Sequence, residues 1–271
     1  MKEVAVQFGE QNSLTGVLTL PDKESNFPVV VITTVGFTTR FGPARVHTQL
    51  ARSLAEKGIA CLRYDLDSLG DSGSCYAHIP LKDRTLVEVG HALDFLQNTY
   101  GKQEFILAGI CSGAEASFRR SAIDERVVGT IMVDPFSIQT PDALKRYFFF
   151  RLKRKALLML NKFAYYQPDP SGEPEVDLVN YTYMQHADVE PIFKQLLERN
   201  IYIHMVYTST VRENVNHPGQ LQKAFPNLPI RNRVIVDWLP TVTHSPIFVE
   251  QVETMVQTIS NRLEKHLRGV R

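Results

Sequence analysis

The sequence carries almost no excess charge and few cysteines. Its 30 Lys and Arg residues are balanced by 29 Asp and Glu residues, which leaves a net charge of +1. Nucleic-acid-binding proteins usually carry a basic excess, so this balance argues against a nucleic-acid partner. The three cysteines, Cys61, Cys75 and Cys111, cannot all pair with one another, and nothing in the sequence suggests a disulfide framework.

Long hydrophobic runs are also lacking. The longest apolar stretches reach about eight residues, far short of the ~20 that a transmembrane helix needs. The first residues alternate as a strand does, and they lack the apolar core of a signal peptide. We therefore expect a cytoplasmic protein without a transmembrane segment.

The composition is suited to a large buried core. The chain has 271 residues, of which 44% are hydrophobic and 22% are charged. This length is short for two full domains, but it fits one α/β domain of roughly 200–250 residues with an insertion.

Two predicted strands come first, and strands then alternate with helices. Residues 2–8 and 13–20 are predicted to form an antiparallel pair, and the apolar run 29–33 is typical of a strand buried on both faces. Apolar residues at helical spacing predict helices around 46–54, 86–96 and 252–263. The other predicted strands are 59–64, 105–110, 127–133, 201–207 and 234–239. This alternation predicts a mainly parallel sheet that binds ligands at the carboxyl ends of its strands.

One region interrupts the alternation. Residues 135–188 contain no strand pattern, but residues 143–163 are basic and aromatic. We expect residues 1–134 and 189–271 to form the core domain and residues 135–188 to form a helical insertion over the carboxyl edge of the sheet. An insertion in that place is suited to act as a lid. Its cations are also suited to docking on an acidic partner, such as an acyl-carrier protein, or to adsorption on an anionic membrane.

The most informative stretch joins the strand 105–110 to a helix. It contains Gly109-Ile110-Cys111-Ser112-Gly113, a Gly-x-Cys-x-Gly pattern. A sharp strand-to-helix turn crowds the positions two residues before and after its apex, so both must be small. The paired glycines therefore indicate Cys111 as apex and nucleophile, because an apex at Ser112 would put the β-branched Ile110 in a crowded position. The alternative is that Cys111 is an inert, buried thiol.

This motif resembles the nucleophile elbow of the α/β-hydrolase superfamily, with cysteine where serine is commoner. The cysteine-bearing branches, such as dienelactone hydrolases and exosortase-associated hydrolases, are the most similar. The likeness extends from the third strand to the final helix and includes an Asp- and Gly-rich turn at 63–73. It implies an α/β-hydrolase fold, with a mostly parallel eight-stranded sheet flanked by helices and a helical lid insertion.

The resemblance also implies a histidine base and an acid that orients it. His244 follows the last predicted strand, where the superfamily places its catalytic histidine. The acid usually follows the preceding strand, after which Glu213 is the first carboxylate. Asp134, directly after the strand 127–133, is the alternative, because some members take the acid from that strand. We expect a triad of Cys111, His244 and Glu213, with Asp134 or a dyad lacking an acid as alternatives.

Two backbone N–H groups are needed to stabilise the oxyanion of the reaction. One is expected from Ser112, directly after the nucleophile, and the other from Phe37 in the loop after the third strand. The superfamily often has His-Gly in that loop, whereas this chain has Val35-Gly36, so the match is partial. The sequence contains neither a phosphate-binding glycine loop nor a metal-binding cluster of His and Cys, and we expect no metal and no cofactor.

These residues predict an acyl hydrolase, an esterase or thioesterase that forms an acyl-cysteine intermediate. Its substrate would be a small-molecule or carrier-bound acyl group. An acyltransferase on the same triad is the main alternative, because an acyl-cysteine reacts readily with amines and thiols. A non-catalytic binding protein is the lesser alternative, since the shifted acid and the missing His-Gly depart from the superfamily.

Overall fold

A computed structural model describes residues 1–23, 25–34, 36, 38–136, 140–160, 184, 186–217 and 219–269. These residues form one sheet of eight strands, namely β1 (Lys2–Phe8), β2 (Leu14–Leu20), β3 (Val29–Thr33), β4 (Cys61–Tyr64), β5 (Phe105–Ile110), β6 (Val127–Val133), β7 (Tyr202–Thr208) and β8 (Ile235–Leu239). The helices described are α1 (Val46–Glu56), α2 (Leu81–Tyr100), α3 (Ser112–Ile123), α4 (Pro141–Leu160), α5 (His186–Glu198), α6 (Gln220–Ala224), α7 (Ile230–Arg233) and α8 (Val249–Leu267).

The strands lie in the order β1-β2-β4-β3-β5-β6-β7-β8. β2 runs antiparallel to β1 and β4, and every other neighbouring pair is parallel. The mostly parallel eight-stranded sheet expected from the sequence is therefore confirmed. Because β3 to β8 point the same way, the loops after β3, β5, β6, β7 and β8 emerge at one edge of the sheet.

Helices cover both faces of this sheet. Val30 and Ile32 of β3 pack with α1 and α8 on one face. Val29 and Val31 pack with α2 on the other face, where α3 and α5 also lie. Successive residues of a strand point to opposite faces, so a strand buried on both sides needs an unbroken apolar run.

The predicted insertion is described only in part. Helix α4 follows β6, and its first turn packs on the segment after β7 through the buried Ala143. Residues 161–183 lie outside the described part of the chain, and α5 begins at His186. The boundaries at residues 134 and 189 and the role of the insertion as a lid stay predictions.

Two kinds of feature do not occur among the described residues. No described helix is both long enough and apolar enough to cross a membrane. Within the same residues, no group of three His, Cys, Asp or Glu side chains is arranged to hold a metal ion.

Candidate active site

Cys111 lies at the turn between β5 and α3. Its backbone has φ 52° and ψ −119°, a conformation that a non-glycine residue adopts only at an energetic cost. The turn is fixed by backbone hydrogen bonds: the Cys111 N–H donates to the carbonyl O of Val133 (2.9 Å), and the Cys111 carbonyl O accepts the N–H of Glu115 (3.0 Å). Cys111 therefore precedes the N-terminus of α3, where the helix dipole favours a negative charge.

Two glycines flank Cys111 because no larger residue fits. A Cβ atom on Gly109 would lie 2.3 Å from the carbonyl carbon of Gly113, and a Cβ atom on Gly113 would lie 2.4 Å from the carbonyl O of Thr33. Both distances are far inside van der Waals contact. The crowded positions are thus two residues on either side of Cys111, and Ser112 is the first residue of α3.

His244 lies in the loop between β8 and α8. Its backbone N–H donates to Thr210 Oγ1 (2.9 Å), which ties this loop to the segment after β7. Its ring Nδ1 lies 2.8 Å from Asp134 Oδ2, and the ring also forms a hydrogen bond with Cys111. The structure therefore brings Cys111, His244 and Asp134 together at the carboxyl edge of the sheet.

Asp134 directly follows β6 and is buried, with a positive φ of 47°. Thr208, the last residue of β7, donates to both carboxylate oxygens of Asp134. Its N–H bonds to Oδ1 (2.8 Å) and its hydroxyl bonds to Oδ2 (2.6 Å). A buried carboxylate needs donors in place of water, and Thr208 and His244 supply them.

The ring of His244 holds its proton tightly. Burial lowers the pKa of His244, but the hydrogen bonds to Asp134 and Cys111 outweigh burial and raise it from 6.5 to about 10. At neutral pH the ring is therefore an imidazolium in contact with Cys111. An imidazolium stabilises a thiolate, which is the nucleophilic form of cysteine.

No protein-family model matches the chain, and neither does any curated protein. Solved structures do match it. An α/β serine hydrolase homologue from Coxiella burnetii is 14% identical, with a TM-score of 0.57 and 97% of each chain covered. An α/β serine hydrolase without a lid from Xanthomonas campestris is 16% identical, with a TM-score of 0.55 over 97% of this chain and 95% of that one. An esterase from Pyrococcus furiosus is 13% identical, with a TM-score of 0.62 over 98% of this chain and 90% of that one.

The chain has the α/β-hydrolase fold. At these identities the likeness establishes the fold and not the reaction. Two of these neighbours are described as serine hydrolases or their homologues, whereas this α/β-hydrolase fold has a cysteine at the turn after β5. The closer likeness to dienelactone hydrolases and exosortase-associated hydrolases stays a prediction.

The carboxylate beside His244 in this α/β-hydrolase fold belongs to Asp134, which the sequence offers as the alternative acid. The backbone of Glu213 ends the 3₁₀ helix Thr210–Glu213, and its side chain lies outside the described part of the chain. Nδ1 of His244 has room for one acceptor, and Asp134 occupies that position. Among the described side chains, Asp134 is thus the carboxylate in contact with His244, and the role of Glu213 as the acid stays a prediction.

The loop after β3, which is predicted to supply an oxyanion donor, is described in part. Val35 and Phe37 lie outside the described residues. The N–H of Gly36 points to Ser112 Oγ (3.4 Å), so this loop touches the first turn of α3. The N–H groups of Phe37 and Ser112 stay predicted donors to the oxyanion.

Sequence reasoning missed two threonines that shape the site. Thr208 holds Asp134, and Thr210 holds the backbone of His244. Both belong to the hydroxyl-bearing run Thr208-Ser209-Thr210 that ends β7, and the hydroxyl of Ser209 donates to the carbonyl O of Val242 (2.9 Å). The available signal was a run of hydroxyls at a strand end on the edge where ligands bind.

Proposed function

We propose that the protein is an acyl hydrolase, an esterase or thioesterase, that acts through an acyl-cysteine intermediate. Cys111 is the nucleophile, His244 is the acid and base, and Asp134 orients His244. The observation that supports this most is the series of contacts from Cys111 through His244 to Asp134, which begins at a turn with a positive φ before α3. A cysteine that served packing alone would need neither that backbone nor a histidine partner.

The proposed reaction has two steps. The Cys111 thiolate attacks the carbonyl carbon, and the His244 imidazolium gives its Nε2 proton to the leaving alcohol or thiol as the bond to the acyl carbon breaks. A water molecule then gives a proton to the neutral ring while its oxygen attacks the acyl-cysteine. The C–S bond breaks, which releases the carboxylic acid and restores the thiolate–imidazolium pair.

Several residues assist these steps in the proposal. Asp134 keeps the Nδ1 proton of His244 in place, so that Nε2 faces Cys111 throughout. The N–H groups of Ser112 and Phe37 stabilise the oxyanion of each tetrahedral intermediate. An esterase from Pyrococcus furiosus among the structural neighbours supports this reaction class. The acyl substrate is a small molecule or is bound to a carrier.

The cysteine at the turn favours acyl transfer as the second candidate function. Its acyl intermediate is a thioester, which reacts more readily with amines and thiols than the ester of a serine would. An acyltransferase would use the same three residues and differ only in the acceptor. Adding an amine or thiol acceptor to the assay separates the two functions, because a transferase forms the acylated acceptor at the expense of the free acid.

The proposal is tested with a panel of p-nitrophenyl esters and acyl-thioesters, followed by intact mass and product release. Cys111→Ala, Ser112→Ala and His244→Ala are measured alongside. We expect a transient acyl adduct that is lost in Cys111→Ala and retained in Ser112→Ala. An adduct that survives in Cys111→Ala but not in Ser112→Ala would make Ser112 the nucleophile.

Alkylation with iodoacetamide at neutral pH tests the lesser candidate, a binding protein without catalysis. Cys111 should react fast in the wild type and slowly in His244→Ala, because the imidazolium that stabilises the thiolate is gone. A Cys111 that resists iodoacetamide in the wild type, together with no turnover of any ester, would favour the binding protein.

A further inference from the structure

Helix α4 carries apolar side chains on two faces. Ala143 faces the protein and is buried, whereas Leu144, Phe148 and Leu152 recur every four residues and form an exposed stripe. Phe149 lies beside this stripe. Phe148 is 59% exposed and Phe149 is 66% exposed, so these rings are largely in water.

Cations accompany the stripe on α4. Lys145, Arg151, Lys153 and Lys155 are all exposed. The acid of this helix, Asp142, pairs with Lys223 (2.6 Å) at the first turn. The outer face of α4 therefore combines apolar side chains with positive charge.

A second exposed apolar group follows His244 in the chain. Residues 247–249 are Ile, Phe and Val, with exposures of 67%, 60% and 64%. The two groups emerge at the same edge of the sheet. Asn216 donates to the carbonyl O of Ala143 (2.9 Å) in α4, and Thr210 of the same segment after β7 accepts the backbone N–H of His244. We call Leu144, Phe148, Phe149, Leu152 and residues 247–249 the apolar rim.

We propose that the apolar rim and the cations of α4 bind the surface of an anionic phospholipid bilayer. Exposed aromatic and aliphatic side chains beside Lys and Arg are the combination that inserts among lipid headgroups and is attracted by anionic lipids. An acidic carrier protein would match the cations of α4, but residues 247–249 contain no cation and contribute only apolar surface. A bilayer matches both groups.

The position of the apolar rim also indicates the class of substrate, and this inference rests on the proposed function. The rim lies at the edge of the sheet that carries Cys111 and His244, so a docked protein holds its site against the lipid. The substrate is then an acyl ester or thioester of an amphiphile that partitions into the bilayer.

Vesicle sedimentation tests the docking. The full-length protein is mixed with vesicles of phosphatidylcholine alone or of phosphatidylcholine and phosphatidylglycerol at about three to one, and binding to the mixed vesicles should be about tenfold tighter or more. Raising the salt concentration should weaken that binding, because the attraction to anionic headgroups is screened. Equal affinity for the two vesicles, or no binding to either, would overturn the proposal.

Paired variants separate the two parts of the surface. F148S/F149S should bind the mixed vesicles at least about tenfold more weakly, and K145Q/R151Q about tenfold more weakly. The matched controls are Ile123→Ser and Lys265→Gln, exposed residues at the ends of α3 and α8 at the opposite edge of the sheet. Both controls should bind as the wild type does, and an equal loss in the controls would contradict the assignment of the surface.

Two further measurements separate this proposal from the proposed function and from a protein partner. Cys111→Ala should bind vesicles as the wild type does, because docking does not need the nucleophile. A wild type that binds vesicles but turns over no ester would leave the docking intact and reject the hydrolase. An acidic acyl-carrier protein is tested on the same variants. Binding to the carrier that K145Q/R151Q abolishes, with no binding to vesicles, would assign the surface to the carrier and reject the bilayer.

Discussion

Asp134 is the residue whose loss should cost the most activity after Cys111 and His244. Asp134→Asn keeps the shape of the side chain but replaces the acceptor at Nδ1 of His244 with an amide, which favours the wrong tautomer of the ring. We expect kcat to fall by about 10³–10⁴-fold. Glu213→Gln should keep a kcat close to that of the wild type. Steady-state kinetics on the best ester of the panel measures both, and a larger loss in Glu213→Gln than in Asp134→Asn would restore Glu213 as the acid.

Thr208 positions Asp134 without touching the substrate. Thr208→Val removes the hydroxyl that donates to Asp134 Oδ2 while it keeps the volume of the side chain. We expect kcat to fall about tenfold with KM unchanged, because one of the bonds that orient the carboxylate is lost. Thr208→Ser should restore most of kcat.

Thr130→Val is the matched control for Thr208→Val. Thr130 is a buried strand residue of β6, and its hydroxyl has no hydrogen-bond partner among the described residues. Loss of its hydroxyl should therefore leave kcat unchanged. Equal effects of the two valine variants, or no rescue by Thr208→Ser, would show that Thr208 has only a packing role.

At the scale of elements, the strands could be predicted because each is a short run of apolar or alternating residues in the local sequence. β1, β3, β5 and β6 have the predicted bounds, whereas β2, β4, β7 and β8 differ by one or two residues at their ends. The turn at Cys111 could also be predicted, since Gly109 and Gly113 both lie within two residues of it in the chain. The contact between Asp134 and His244 could not be predicted in this way. It depends on the position of Asp134, which is held by Thr208, 74 residues away at the end of the neighbouring strand.

The turn between β5 and α3 depends on the absence of side chains at its two flanks. Gly113→Ala places a Cβ atom 2.4 Å from the carbonyl O of Thr33, so the turn must shift. We expect a loss of about 2–3 kcal/mol in the free energy of unfolding, although alanine is the better helix former. Urea unfolding measures this loss.

Gly73→Ala is the control for this variant. A Cβ atom at Gly73 meets its nearest neighbour, Ser13 Cβ, at an ordinary 3.5 Å. Its stability should therefore stay within about 0.5 kcal/mol of the wild type. If Gly113→Ala proves as stable as Gly73→Ala, the turn is not crowded.

Over the whole molecule, buried titratable groups set how stability depends on pH. His47 is buried, both of its ring nitrogens lack partners among the described residues, and burial lowers its pKa from 6.5 to about 4. Below pH 6.5 His47 binds a proton in the unfolded chain but stays neutral in the native state down to about pH 4. Stability from this group is therefore lost as the pH falls from 6.5 to about 4.

Glu88 acts in the opposite direction. Burial of Glu88 raises its pKa from 4.5 to about 8, so the native state keeps a proton that the unfolded chain has already released. The stability that this proton supplies is complete below pH 4.5 and is lost as the pH rises to about 8. His244 adds little to this dependence, because in the proposed thiolate–imidazolium pair the proton that His244 gains is the one that Cys111 loses.

Above pH 6.5 the effect of His47 has ended and that of Glu88 remains. We expect the free energy of unfolding to fall between pH 6.5 and about 8. Glu88→Gln should remove this slope, whereas His244→Gln should leave it, because the proposed pair of His244 and Cys111 binds as many protons folded as unfolded. Urea unfolding at a series of pH values measures each slope. A wild type whose stability rises over this range, or a Glu88→Gln variant that keeps the full slope, would mean that other groups control it.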